Sequence, residues 1–172
     1  NIKFSFGVLK LPIRDPVLTA KQVSSLAVLS NERLILGVGL SPWIEDFQAC
    51  SQDWKSRGKR MDEMIQIIQG LMTGEYFDWK SEYYDIPKIK MCPVPATCPP
   101  VVVGGHSKPA YRRAARYGNG VNFVSLTEDE LVDRLTIVNS FRKEYGRENE
   151  SFIVQAGMPA FTVDAMKRLE ER

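Results

Sequence analysis

The chain has 172 residues, enough for one sizeable core, and its 44% hydrophobic and 26% charged residues are ordinary for a globular protein. A formal net charge of +2 gives no reason to expect a nucleic acid or an anionic membrane as partner. No apolar run approaches the roughly 20 residues that span a bilayer. Three cysteines without metal-ligand spacing and a single histidine do not suggest a metal site. We therefore expect a cytoplasmic protein that binds no metal, nucleic acid or membrane.

The first part of the chain predicts two buried strands and two helices. Residues 2–11 are largely apolar, as in a buried strand, and Asp15 and Pro16 then provide an N-cap and a first-turn proline for a helix. Residues 34–38 predict a second buried strand. Apolar side chains at intervals of three and one predict a helix over residues 57–73.

Residues 74–100 have a different composition, with five aromatic side chains and five prolines. This composition predicts a hairpin followed by an extended proline-rich arm. Since a disordered segment carries fewer aromatic residues, we expect this insertion to pack on the domain.

Alternation resumes after residue 100. We predict strands at 101–103, 121–124 and 152–156, and helices over 107–117, from Thr127 to about Gly146, and from Thr162. Thr127 and Glu130 have the spacing of a capping box. Five strands alternating with five helices indicate an α/β fold with a parallel sheet, in one domain covering residues 1–172. The pattern alone leaves open an open doubly wound sheet or part of a closed barrel.

The strand–turn–helix sequence VVVGGHSKP at 101–109 is the clearest candidate for a binding site. Two glycines allow close backbone approach, and Ser107 is suited to cap the helix that Pro109 helps to start. Backbone N–H groups and the helix dipole at such a turn attract anions, usually phosphate. The alternative is an ordinary connection between a strand and a helix.

Several segments, taken in order, resemble the luciferase-like monooxygenase family. They are GVLKLPIRDP (7–16), AKQV (20–23), RLILGVG (33–39), RGKRMDE (57–63), VGGHS (103–107) and RRAAR (112–116). The loops GLSPW (39–43) and CPVP (92–95) are most similar to the deazaflavin-dependent branch. The resemblance implies a TIM-barrel-like (β/α)8 fold and a coenzyme that is FMN or the deazaflavin coenzyme F-420 (F420).

A complete barrel of this kind needs about 250 residues. We therefore expect an incomplete barrel with about five β/α units, in which the first two units and the last one are missing. A phosphate-binding protein with an open sheet, unrelated to this family, is the other possibility. It is disfavoured because residues 37–42 lack the third glycine of a dinucleotide fingerprint.

The resemblance also implies which residues meet the coenzyme. A non-prolyl cis peptide bond that supports the ring falls on Gly7–Val8, and the loop at Gly39 and Leu40 lies at the end of the next strand. The phosphate falls on the turn formed by Gly104, Gly105, His106 and Ser107. The alternative is that Gly7 has only a structural role and eases backbone packing within a strand.

Trp43 is expected to cover the ring or the substrate, or else to serve as a packing plug. The flavin-binding members of the family place an arginine for the phosphate where this chain has Leu40, which favours the deazaflavin. We expect Arg57 and Arg60 to be solvated at a helix start; the alternative is that they reach the coenzyme's charged tail.

The resulting hypothesis is an oxidoreductase that transfers a hydride between F-420 and a small organic substrate. The alternatives are an FMN-dependent monooxygenase that uses reduced flavin and oxygen, or a non-catalytic flavin-binding protein. The resemblance assigns no catalytic residue to this chain. The family's proton donors commonly lie on the first strands of the barrel, which belong to the units that we expect to be missing. A homodimer is also expected, since helices on the outside of such barrels often pair.

Overall fold

A computed structural model describes residues 2–157 and 162–170 of the chain. The chain divides into two compact units, Asn1–Val101 and Val102–Arg172, which we call the first and second unit. Each unit combines parallel strands with helices. Among the described residues, no helix has both the length and the apolar character needed to cross a membrane.

The first unit is built on a buried central strand with two short strands beside it. Both short strands pair in parallel with the central one. The elements are β1 (Phe4–Ser5), β2 (Leu9–Lys10), a 3-10 turn (Leu11–Ile13), α1 (Pro16–Leu29), β3 (Leu34–Gly39), α2 (Ile44–Ala49), α3 (Arg57–Leu71), β4 (Phe77–Lys80) and β5 (Asp85–Ile89).

The second unit repeats the strand–helix alternation in a parallel sheet ordered β6–β7–β8. Val103 pairs with Val121, and Val121 in turn pairs with Val154. The elements are β6 (Val101–Gly104), α4 (Lys108–Tyr117), β7 (Gly120–Phe123), α5 (Glu128–Glu144), β8 (Ile153–Ala156) and α6 (Val163–Glu170).

Each unit has a core of its own. In the first unit, every residue of β3 is buried, and α1 and α3 pack together over it. The apolar stripe predicted for α3 is buried, comprising Met61, Met64, Ile65, Ile68 and Leu71. In the second unit, α4 packs on α5, and Phe123 of β7 is fully buried. The helical periodicity therefore identified the inward face of α3 correctly.

Two predicted helix starts are confirmed. Asp15 caps α1, because its Oδ1 accepts a hydrogen bond from the Leu18 N–H at 2.8 Å. At α5, the Thr127 side chain accepts from the Glu130 N–H, and the Glu130 carboxylate accepts from the Thr127 N–H at 2.9 Å. This is a complete capping box.

The insertion after α3 forms the expected hairpin from β4 and β5, followed by an arm that packs on α1. The Lys21 ammonium and the Ser24 hydroxyl of α1 donate to the carbonyl groups of Cys92 and Pro93. The Ala96 N–H donates to Glu32 Oε1 at 2.8 Å. The prediction that the arm packs on the domain is confirmed.

Two features differ from the sequence-based expectation. Residues 2–11 do not form one buried strand: β1 is exposed, and the chain leaves the sheet between β1 and β2. The short helix α2 was not expected, since six residues are too few to show a helical period.

Candidate functional site

The bulge between β1 and β2 contains the cis peptide bond Gly7–Val8, as predicted. Ser5 pairs with Ile35, and Leu9 pairs with Val38. The chain therefore advances by four residues between these two pairs, whereas β3 advances by three. The extra residue takes the backbone out of the sheet, as a β-bulge does. Gly7 and Val8 therefore lie outside the ladder, between the carboxyl end of β1 and the start of β2.

Gly7 itself is exposed and faces open space. A Cβ built on it would meet no heavy atom within 4 Å. Internal packing of this unit therefore does not require glycine there, which argues against the interpretation of Gly7 as a packing residue. Exposed backbone with open space beside it leaves room for a planar ring.

Gly39 ends β3 and pairs in register with Lys10, so the two strand ends meet. Gly39 is buried and Leu40 is half-buried. The next residue, Ser41, is only 1% exposed, and its hydroxyl donates to Asp46 Oδ2. Trp43 follows and is 57% exposed, which rules out the interpretation of Trp43 as a packing plug.

A polar cluster that the sequence did not reveal lies at these strand ends. The Lys10 ammonium is 2.5 Å from Asp46 Oδ2 and 4.6 Å from the centre of the Trp43 ring. The hydrogen bonds from Lys10 and Ser41, together with the positive charge of Lys10, lower the pKa of Asp46. Lys10 is the only charged residue between positions 4 and 12, and that is the signal by which it could have been found.

The glycine turn predicted to bind phosphate lies in the second unit. Gly105 has φ +142°, and a Cβ at this position would come within 2.8 Å of the Ala110 Cβ. Both the backbone conformation and the lack of space for a Cβ therefore require glycine at position 105. Ser107 caps α4 as predicted, its Oγ accepting from the Ala110 N–H at 3.4 Å. The first N–H groups of α4 and its positive dipole end lie at this turn.

His106 lies exposed in the turn, with its ring 6.0 Å from that of Phe123. With the residues that the structure describes, it makes no hydrogen bond or ion pair. Phe123 also contacts Tyr111, whose hydroxyl accepts a 2.6 Å hydrogen bond from Arg134. Among the residues that the structure describes, none orients His106 as a proton donor.

The expectation for Arg60 is wrong. It is only 6% exposed, and its guanidinium donates to the carbonyls of Pro12 (2.8 Å) and Asp53 (2.7 Å) and to Gln52 Oε1 (2.5 Å). Every arm of the guanidinium is occupied by the protein's own acceptors, so Arg60 is neither solvated nor available to a coenzyme tail. Arg57 lies flat on the Trp54 ring at 3.7 Å.

A cleft of about 590 Å³ opens beside the start of α3, where Lys55 and Lys59 line it. Asp53 and Glu82 line it too, so its charge is nearly balanced. Among residues 2–157 and 162–170, no group of histidine, cysteine or acidic side chains is arranged to hold a metal ion.

Comparison with known proteins agrees with this geometry. The model of the luciferase-like monooxygenase family matches residues 1–172. The chain therefore belongs to the luciferase-like monooxygenase family.

Three relatives show how the family varies. An uncharacterized protein of Mycobacterium tuberculosis is 47% identical over the whole chain, which spans 59% of that relative's length. An F420-dependent glucose-6-phosphate dehydrogenase of Amycolatopsis mediterranei is 28% identical over 62% of this chain and 33% of its own. An FMNH2-dependent dimethylsulfone monooxygenase of Pseudomonas fluorescens is 28% identical over 68% of this chain and 35% of its own. The family thus includes F420-dependent dehydrogenases as well as FMNH2-dependent monooxygenases.

A solved structure establishes the fold class. An F420-dependent secondary alcohol dehydrogenase, in complex with an F420–acetone adduct, superposes with a TM-score of 0.81 at 15% identity. The match covers 91% of this chain and 49% of the other. The predicted fold class is confirmed: the chain has the α/β fold of a TIM-barrel-like protein and corresponds to about half of the barrel.

Proposed function

We propose that this protein is an oxidoreductase that transfers a hydride between the deazaflavin coenzyme F-420 and a small organic substrate. The observation that carries the proposal is the bulge at Gly7–Val8, whose exposed backbone leaves open space beyond the carboxyl end of β1. In a parallel barrel this is the end at which sites are built. The coenzyme, when bound, supplies the hydride chemistry, and the protein supplies binding and orientation.

The choice of F-420 over FMN rests on Leu40. The flavin-binding members of the family place an arginine for the phosphate at this position, and a leucine cannot supply that charge. The structure describes Leu40 as half-buried directly after β3, with Ser41 buried behind it. F420-dependent dehydrogenases among the relatives support the same choice.

In the first unit, the proposed roles fall on residues at the ends of β2 and β3. The backbone of Gly7 and Val8 supports one face of the ring, and Gly39 and Leu40 form the neighbouring strand end. Trp43 shields the ring or the substrate from water. The Lys10–Asp46 pair places a balanced charge beside Trp43.

In the second unit, we propose that the backbone N–H groups of Gly104, Gly105, His106 and Ser107 bind the coenzyme phosphate. The requirement for glycine at 105 and the capped start of α4 support this role. His106 contributes its backbone, since no described residue of the second unit orients its ring for proton transfer.

An FMN-dependent monooxygenase is the second candidate. The dimethylsulfone monooxygenase relative, whose name states FMNH2 dependence, is the observation that favours it. Such an enzyme would bind FMN in preference to F-420 and would need a separate source of reduced flavin. A protein that binds one coenzyme but turns over no substrate would be a non-catalytic flavin binder.

The test is a titration of the full chain with F-420 and, separately, with FMN, followed by tryptophan quenching and by ultrafiltration of the coloured ligand. We expect F-420 to bind more tightly than FMN. Tighter FMN binding would favour the monooxygenase, and binding of neither would overturn the oxidoreductase proposal.

Two glycine variants test the phosphate turn. Gly105→Ala adds a Cβ that clashes with Ala110, whereas Gly146→Ala, at another positive φ (+67°), adds a Cβ with no atom within 4 Å. Gly105→Ala should weaken binding of FMN about tenfold, the scale of lost hydrogen bonds to a charged group. Riboflavin, which lacks the phosphate, should lose little affinity. Equal losses for both ligands would contradict a phosphate role.

A further inference from the structure

Lys10 holds a position that its sequence neighbours do not explain. It is the last residue of β2 and interrupts an otherwise uncharged run. Its ammonium lies 2.5 Å from Asp46 Oδ2 and 4.6 Å from the centre of the Trp43 ring, within cation–π range. One side chain therefore joins the end of β2 to both an acid and an indole beyond the end of β3.

The acid partner is held rigidly. Asp46 lies in α2 beside Phe47, which is fully buried and meets Trp54 edge-on at 5.0 Å between ring centres. The hydroxyl of the buried Ser41 donates to the same carboxylate oxygen that Lys10 contacts. The buried side chain of Phe47 thus anchors α2 next to Asp46, and the carboxylate itself is held by Ser41 and Lys10.

Trp43 is held at two points by this network. Its backbone N–H donates to Ser41 Oγ at 3.2 Å, and its ring lies under the Lys10 ammonium. Even so, the side chain remains more than half exposed. A large aromatic side chain fixed by polar contacts yet left open to solvent is suited to contact a ligand rather than a core.

We infer that Lys10 is a positioning residue: with Asp46 and Ser41 it fixes Trp43 as a wall of the site, and the open part of the indole packs against the planar ring of a flavin-type coenzyme. This inference rests on the proposed function and deepens it. The charge of Lys10 is balanced by Asp46 at 2.5 Å, so its role is to orient the indole rather than to bind an anion or donate a proton.

The experiment uses the full chain labelled with 5-fluorotryptophan and observed by fluorine NMR. The three tryptophans give three signals, and Trp43→Phe identifies the one from Trp43. Riboflavin and F-420 are added separately, and binding is measured independently by ultrafiltration. We expect the Trp43 signal to shift on binding while those of Trp54 and Trp79 change little.

Lys10→Met, Lys10→Arg and Lys80→Met then test the positioning role. Lys80 forms an exposed ion pair with Asp85 at 3.3 Å in the hairpin and is the matched control. Lys10→Met should broaden or move the Trp43 signal in the free protein and weaken riboflavin binding about three- to tenfold, the scale of one cation–π contact. Lys10→Arg should restore both properties, and Lys80→Met should leave both unchanged.

The outcomes separate the inference from the proposed function. Binding without a Trp43 shift, or a Lys10→Met variant with unchanged Trp43 signal and affinity, would overturn the positioning role alone. Absence of binding by ultrafiltration for every ligand would overturn the coenzyme proposal, and this inference with it. A melting temperature lowered equally in Lys10→Met and Lys10→Arg, with unchanged Trp43 response, would mean that Lys10 only joins β2 to α2.

Discussion

Gly37 in the middle of β3 lies directly against the carbonyl group of Phe6. A Cβ built on Gly37 would stand 1.8 Å from the Phe6 oxygen and 2.9 Å from its carbonyl carbon. The bulge between β1 and β2 brings this carbonyl over the central strand, where only a residue without a side chain leaves room for it. The glycine in β3 and the exposed backbone at Gly7 are therefore two parts of one arrangement.

Exchanging these two glycines for alanine should affect different properties, stability at Gly37 and coenzyme affinity at Gly7. Gly37→Ala must displace the Phe6 carbonyl, so we expect the free energy of unfolding to fall by about 1–3 kcal/mol, as for other overpacked sites. Gly7→Ala adds a methyl group that meets nothing within 4 Å, so stability should change little while coenzyme affinity falls. Urea unfolding and a coenzyme titration of both variants measure this. Unchanged stability in Gly37→Ala would contradict the close approach.

The position of the cis bond could be predicted from the sequence, but the exposure of β1 and the need for glycine at position 37 could not. The family resemblance placed the cis bond at Gly7–Val8, whereas the apolar run predicted a single buried strand over residues 2–11. It did not show that β1 would be exposed, because burial depends on which strand lies beside it. The apolar pattern also provided no reason for Gly37, since the carbonyl group that requires it belongs to Phe6, on the far side of α1 in the sequence.

Arg60 is a structural residue, and its removal should destabilise the first unit. Arg60→Met leaves the carbonyls of Pro12 and Asp53 without their donor, which should cost about 2–3 kcal/mol. Lys59→Met, at an exposed neighbouring position, should change the free energy of unfolding by less than about 0.5 kcal/mol. Chemical denaturation of both variants tests the difference. If Arg60→Met weakened coenzyme binding at unchanged stability, the original coenzyme-tail alternative would be favoured instead.

The burial of Arg60 depends on contacts that residue type and spacing do not reveal. Four basic residues between positions 55 and 60 have the pattern of a solvated helix start. The acceptors that bury Arg60 come from the turn after β2 and from the loop before α3, so only the folded chain brings them together. The apolar stripe of α3 was predictable because a helix of 15 residues repeats its pattern several times.

Asp46 should make the stability of the protein depend on acid pH. Its pKa is lowered by the hydrogen bonds from Lys10 and Ser41, so its ionised form is favoured in the folded state. That contribution is fully present above the unfolded value of about 3.9 and is lost as the pH falls through the lowered folded value. Unfolding of the wild type and Asp46→Asn should therefore differ at neutral pH and converge in acid. A difference that stays constant with pH would contradict the lowered pKa.

The three cysteines should react at different rates with a thiol reagent. Cys50 and Cys92 are exposed, whereas burial raises the pKa of the Cys98 thiol to about 11. Since the thiolate is the reactive form, Cys98 should react at least about a hundredfold more slowly at pH near 8. Mass spectrometry of the labelled protein assigns the sites, and unfolding in guanidinium should equalise the rates. Rapid labelling of Cys98 in the folded protein would show that its burial is transient.

The outer face of α1 is where we propose that a homodimer forms. All the exposed residues of this helix are uncharged: Leu18, Gln22, Leu26, Val28 and Leu29. Leu29 is 85% exposed, and a large uncharged face of this kind marks an interaction surface. Two antiparallel copies would place Leu18 of one against Leu29 of the other, with Gln22 against Ser25, because these positions are symmetrical about the middle of the helix.

Leu29→Lys tests this surface by placing a charge in the contact. We expect light scattering coupled to size exclusion to show a dimer for the wild type and a monomer for Leu29→Lys. Val163→Lys, at an exposed apolar position on α6, is the control and should remain dimeric. A wild type that is monomeric at all concentrations, or a Leu29→Lys variant that stays dimeric, would exclude α1 as the interface.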